Sequence, residues 1–205
     1  MCYTYKQTRW YVRGNTSEMD TKSLLIDTAT TLFQQKGYKT VGLNEILKAC
    51  NITKGALYHH FPNGKEELLI TCLHGLNEVI ITDIEAIFSR HLLTKDAVLA
   101  MIDKLIRNFE KNGTIIGYTF SSIVSEMATM SEPVRTACSA LYENIQHLYY
   151  ERLITEGYSN ESASDIALLM TVSIEGAMML CLTQKSTNPL KTIATLLPSI
   201  LKVNK

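Results

Sequence analysis

The chain has 205 residues and a mass of 23.0 kDa; 46% are hydrophobic and 20% charged, which excludes a disordered tail and allows one domain or two small ones. Ten glycines and four prolines exclude collagen-like and Pro-rich classes, and no run approaches the ~18–20 uninterrupted apolar residues of a membrane span. The net charge is zero, but residues 1–65 carry nine Lys/Arg against four Asp/Glu and the remainder eleven against sixteen. A basic segment able to face phosphates thus precedes an acidic one, with chance clustering on solvated faces as the alternative. The five cysteines are odd in number, widely spaced and without CxxC, which argues against a disulfide framework or a zinc site. A reducing cytoplasm fits that usage, and the N-terminus lacks the apolar core of a signal peptide.

Residues 1–19 are expected to be an extension outside the fold, disordered or, over residues 1–18, an artefact upstream of the real start at Met19. If expressed, Lys6, Arg9 and Arg13 among aromatics make it a basic arm that can touch a nucleic-acid backbone. From Asp20 the pattern is helical. Asp20 or Thr21 caps a helix to about Lys36 with Ile26, Ala29 and Phe33 on one face, and Gly37 stops it. A short helix follows from about Leu43 to Cys50, with Leu43, Ile46, Leu47 and Cys50 inward. Asn51 tolerates the left-handed conformation of a tight turn, and Thr53 caps a second short helix, Lys54 to His60, with Leu57 and Phe61 inward. Pro62-Asn63-Gly64 ends it.

Longer helices are expected over about 65–89, 95–111 (capped by Thr94), 118–129, 133–156 (Pro133 in its first turn), 160–183 (capped by Asn160) and 188–202. No stretch shows period-2 strand alternation. The fold class is therefore all-α, with residues 20–66 as one domain and 67–205 as a second, helical one.

Two short helices around a three-residue turn, LNEILKACNITKGALYHHF at 43–61, have the length and pattern of a helix-turn-helix. The second helix is too short and polar to be a core element. Pinned by Leu57 and Phe61, it leaves Lys54, Gly55, Ala56, Tyr58, His59 and His60 around its exposed side and ends. A helix so presented fits a major groove about 12 Å wide. Gly55 and Ala56 let the backbone approach base edges, and Lys54 can read guanine or neutralise phosphate. Tyr58 and His59 can donate hydrogen bonds, Thr53 adds helix N-terminal N–H groups for a phosphate, and Lys65 can clamp the backbone from the next helix.

Residues 22–69 resemble the DNA-binding domain of the TetR family of bacterial transcriptional regulators, through A-x-x-L-F-x-x-x-G-Y at Ala29–Tyr38 and ITKGALYHHFPNGKEEL at 52–68. HHFPNGKEEL is similar to the LmrA/YxaF-like branch. The resemblance implies an all-helical homodimer on a pseudo-palindromic double-stranded DNA operator, with a small-molecule inducer in the C-terminal domain and the last two long helices forming the dimer interface. It implies that Tyr58 and Lys65 contact phosphate, that Lys54, Gly55, Ala56 and His59 face the bases, and that Thr40 lies near a backbone-contacting threonine. Leu47 and Asn51 depart from the alanine and glycine common in the family, and Tyr118-Thr119-Phe120 from a Cys-Pro step of the branch.

Glu143, His147 and Glu151 share a helix face; a solvated face is the ordinary reading of that stripe and a metal site the rare one. Methionines on helical faces are mostly core, though flexible ones suit an adaptable pocket. Met101, Leu105, Met127, Tyr142, Met170 and Ile174 are the expected ligand-binding residues. The dimer interface is expected on 161–183, through Ala163, Ala167, Gly176 and Ala177, and on 188–202, through Leu190, Ile193, Leu197 and Leu201, with Pro198 kinking the latter. There is no GxSxG, P-loop, GxGxxG or HExxH, so no enzyme, metal or cofactor is expected. The reading is a cytoplasmic, ligand-responsive repressor without membrane partners. A sensor acting through a protein partner, with a residual DNA domain, is the alternative, and a helical-bundle enzyme using the Glu143/His147/Glu151 stripe the third.

Overall fold

The computed structural model describes residues 20–113, 115, 126 and 131–201. Within these the backbone forms α1 (Thr21–Lys36), α2 (Leu43–Cys50), α3 (Lys54–His60), α4 (Lys65–Phe88), α5 (Thr94–Asn112), α6 (Glu132–Thr155), α7 (Asn160–Gln184) and α8 (Asn188–Ile200), with no strand among the described residues. The N-terminal extension, the helix expected at 118–129, Met127 and the Tyr118–Phe120 step lie outside the described residues. Two compact units divide at Cys72 and Leu73, inside α4.

The first unit is built on Leu25, Ala29 and Phe33 of α1, spaced i, i+4, i+8 and fully buried. Leu25 takes the place expected of Ile26, which is only half-buried. Ile46, Leu47 and Cys50 of α2, Leu57 of α3 and Leu68, Leu69 and Cys72 of α4 complete the core. Asp20 occupies the N-cap position of α1, but its side chain makes no capping bond. Asn51 adopts φ 54° and ψ 44°, the left-handed turn that ends α2. Asparagine pays less than other L-residues for that conformation, so it serves where glycine would.

In the second unit α7 packs against α6 and α8, and α5 against α8 and α6. Phe88 of α4 stacks on Tyr149 of α6 with centroids 5.5 Å apart, and Arg152 Nη2 donates to the carbonyls of His91 and Leu92 in the α4–α5 connection. Two expected caps are corrected. Thr94 lies inside α5, and its backbone N–H donates to Glu156 Oε1 at 2.5 Å, so a carboxylate from the end of α6 caps α5. Helix α7 is capped by Ser159, whose Oγ accepts from the Ser162 N–H at 3.2 Å, rather than by Asn160. Pro198 lies in the last turn of α8, two residues from its end.

By length and mean hydropathy (1.9), α7 is the one described helix apolar enough to cross a membrane, although no long uninterrupted apolar run exists. The reason is that it is apolar on both sides. One face is in the core; the other exposes Leu168, Leu169, Val172, Met179 and Leu180, and α8 adds Leu196 and Ile200. The residues expected at an interface mostly face the other way: Ala163, Ala167, Ala177, Leu190, Leu197 and Leu201 are buried inside the unit and Ile193 is half-buried, while Gly176 is exposed. Small side chains let α7 sit close to its own neighbours, and the long aliphatic ones are left outside.

Candidate nucleic-acid interface and ligand cavity

Helix α3 is seven residues long and too short to be stable by propensity. Three local devices hold it. Thr53 Oγ1 accepts from the Ala56 N–H at 3.2 Å, and the Phe61 N–H closes on Leu57 O at 2.8 Å. Leu57 and Phe61, one turn apart, are fully buried. Each such burial is worth roughly 1.5–3 kcal/mol, so this pair fixes which face of α3 points outward. That face carries Lys54, Gly55, Tyr58 and His59, all exposed; Thr53 and Thr40 are exposed beside it, and Ala56 and His60 are half-buried.

Tyr58 is 41% exposed. Its ring lies over Gly64, where a Cβ would meet the ring at 3.4 Å, and Gly64 itself has φ +69°. The Lys54 ammonium sits 5.7 Å from the Tyr58 ring centroid. These contacts pre-orient both side chains on the outer face. Around Gly55 the only atom within 4 Å of a built Cβ is Thr53 Oγ1 at 3.9 Å. No packing among the described residues requires glycine there, so its missing side chain leaves room for something outside. The rings of His59 and His60 touch edge-on at 5.1 Å.

Lys65 is placed differently from the other candidates. Its ammonium donates to Tyr38 O at 2.5 Å and lies 4.0 Å from the Tyr38 ring centroid, so the side chain lies along α1 and the turn after it. Burial, with the Glu66 charge beside it, pushes the Tyr38 phenol up from its ordinary range.

The second unit holds a partly open cavity of about 20 Å³, room for about one water. Ile80 and Ile84 of α4, Met101 of α5, Leu141, Ile145 and Tyr149 of α6, and Thr171, Ile174, Glu175 and Met178 of α7 line it. Of the expected ligand residues, Met101 and Ile174 are in the lining. Leu105 and Met170 are buried in the core away from it, and Tyr142 is half-buried beside Leu141. The remaining lining residues were missed, because they meet only after four helices pack. Glu175 had a visible signal: a single carboxylate between core positions Ile174 and Ala177 of an apolar helix.

The polar atoms of the cavity are few. Thr171 Oγ1 donates to Ala167 O at 2.9 Å, and Tyr149 OH to Met101 Sδ at 3.5 Å. Burial pushes the Glu175 carboxyl up to about 7. Tyr142 and Tyr149 are pushed further up, first by burial and then by the Glu175 charge. No group of three or more His, Cys, Asp or Glu among the described residues is placed to hold a metal. On the Glu143/His147/Glu151 face, Glu143 accepts from Ser139 Oγ, and His147, 72% exposed, lies 3.9 Å from Glu151.

Residues 25–72 match the family of bacterial regulatory proteins, tetR family, and residues 94–196 match the C-terminal domain of LmrA/YxaF-like transcriptional regulators. The HTH-type transcriptional regulator YxaF of Bacillus subtilis is 34% identical over 187 residues, covering 91% of this chain and 98% of its own. The HTH-type transcriptional regulator LmrA of the same organism is 33% identical over 183 residues, covering 89% and 97%. The fold is similar to that of reduced NemR from Escherichia coli, with a TM-score of 0.76 at 23% identity over 89% of this chain and 98% of that one.

Proposed function

The chain belongs to the TetR family of bacterial regulatory proteins, and from that membership we propose that it is a ligand-responsive repressor whose α3 reads a pseudo-palindromic operator. The observation that carries the reading is the outer face of α3: a capped, core-anchored helix on which Lys54, Gly55, Tyr58 and His59 are exposed among the described residues. Lys54 supplies charge to phosphate or guanine, Tyr58 and His59 supply hydrogen bonds, and Thr53 and Thr40 flank them toward the backbone. Ala56 and His60 contribute from the edges of that face. Lys65 acts indirectly, by tying the start of α4 to Tyr38.

The exposed apolar stripe of α7 and α8 supports a homodimer, because self-association is the simplest way to cover it and a palindrome requires two recognition helices. The cavity lined by α4, α5, α6 and α7 is the inducer site. A molecule that enlarges it presses on Ile80 and Ile84 of α4, whose first turns belong to the DNA-binding unit. Differential affinity for the two arrangements of α4 shifts the population away from the DNA-competent one. The place of action is the cytoplasm, where the DNA is.

The experiment is selection of sheared genomic DNA by the purified protein at moderate salt. Enrichment of one palindrome, lost in a Lys54→Ala/Tyr58→Ala variant, is the expected result. Absence of enrichment in dimeric, ligand-free protein would overturn the operator reading and leave a sensor that works through a protein partner.

A further inference from the structure

We propose that the cavity of the second unit takes an apolar or aromatic molecule bearing a basic nitrogen, held as a cation against the Glu175 carboxylate. The proposal rests on the ligand-responsive reading above and gives the ligand a charge.

Glu175 is the one charged group among the described residues that line the cavity, and no described hydrogen bond or ion pair satisfies it. No basic side chain is among those lining residues. Helix α7 contains no Lys, Arg or His between Asn160 and Gln184. From α4 the cavity receives Ile80 and Ile84, and from α5 Met101. From α6 the groups that feel Glu175 are the phenols Tyr142 and Tyr149. Of the basic residues of those helices, Lys104 pairs with Asp83, Arg107 with Asp103, Arg152 with the His91 and Leu92 carbonyls and Arg135 with Glu132, and none lines the cavity.

A carboxylate among isoleucines and methionines bears a desolvation cost that a bound cation offsets. The Tyr149 ring, with its negative face, favours the same sign of charge. One turn before Ile80 on the same face of α4, Asn77 carries a buried side-chain carbonyl with no donor. Asn77 is not part of the lining, so the charge preference of the cavity rests on the Glu175 carboxylate, an acceptor whose complement is a donor. An acid would meet repulsion from Glu175. As it stands the cavity admits about one water, so a ligand must open it, and Met101 and Met178, unbranched and adaptable, are the lining side chains that would rotate aside.

The test measures binding of a graded series of arylmethylamines, from benzyl to naphthylmethyl, beside the alcohols and carboxylates of the same ring systems. It uses full-length protein at about pH 8, where Glu175 is ionised and the amines are protonated. Wild type should bind the best amine about tenfold or more tightly than its alcohol and reject the carboxylate. Glu175→Gln, which keeps the volume and removes a buried charge, should melt at or a few degrees above wild type at this pH and bind amine and alcohol alike. A wild type that binds the alcohol as well as the amine, or an E175Q protein that keeps the preference, overturns the cation while leaving a ligand-responsive protein. Failure of every probe to bind, in protein that still captures its selected palindrome, overturns the cavity as a sensor site without touching the DNA-binding reading.

Discussion

At Gly55 two physical demands oppose each other. A Cβ there fits the protein without a clash, and alanine is the better helix former by roughly 0.5–1 kcal/mol. Gly55→Ala should therefore melt at or slightly above the wild-type temperature while binding the selected operator about tenfold more weakly, because the added methyl occupies the space where base edges approach. Thermal melting together with operator titration separates the two effects. Unchanged operator affinity would remove Gly55 from the contact face. Glu175 makes a second residue-scale prediction. Its carboxyl titrates near 7 in the folded protein against an ordinary 4.5. Between those values the folded protein holds a proton that the unfolded chain has released, so stability falls as pH rises through that window and stays lower above it. Tyr142 and Tyr149, facing Glu175 from α6, are pushed upward and remain neutral throughout. The loss is on the order of 3 kcal/mol at most, several degrees of melting temperature between pH 5 and pH 8, and E175Q should flatten it.

Helix α3 depends on its cap to an unusual degree, because seven residues leave little else. Thr53→Ala should cost the first unit about 1 kcal/mol and loosen the start of the recognition helix. The expected readout is earlier melting with reduced operator affinity, and Thr53→Ser should restore both. The helix-turn-helix was legible in the sequence because its determinants are local: Asn51 for the turn, Thr53 for the cap, and Leu57 and Phe61 four residues apart. Caps at the longer helices were less legible. Thr94 looks like a cap, but the group that satisfies its N–H is Glu156, 62 residues away. The cavity was hidden for the same reason, since Ile80, Met101, Tyr149 and Glu175 converge only through packing. Helix α7 misled because both its faces are apolar. Periodicity marks where an apolar face lies, not which of two such faces the protein's own core takes.

For the whole molecule, the proposed homodimer rests on the exposed stripe of α7 and α8. Val172, 59% exposed at its centre, is the position to charge. Val172→Glu should leave each protomer folded and shift sedimentation to the monomer. Operator affinity should drop about a hundredfold or more, because two linked recognition helices gain that order of avidity from effective concentration. A dimer that persists in V172E would move the interface elsewhere. Finally, α4 is continuous in sequence but divided between two units at Cys72 and Leu73. Its first turns are anchored by Leu68, Leu69 and the Cys72 thiol, which donates to Ile26 O at 3.6 Å, and its later turns by Ile80, Ile84 and Phe88. One helix is thus shared between two compact units, each of which we expect to open cooperatively. Amide exchange along it should change rate near residue 72, the N-terminal amides opening together with α1–α3 and the C-terminal ones with α5–α8. Heat should accordingly dissolve the protein in two steps, with the smaller unit melting first and the helix unwinding from the end that begins at Lys65.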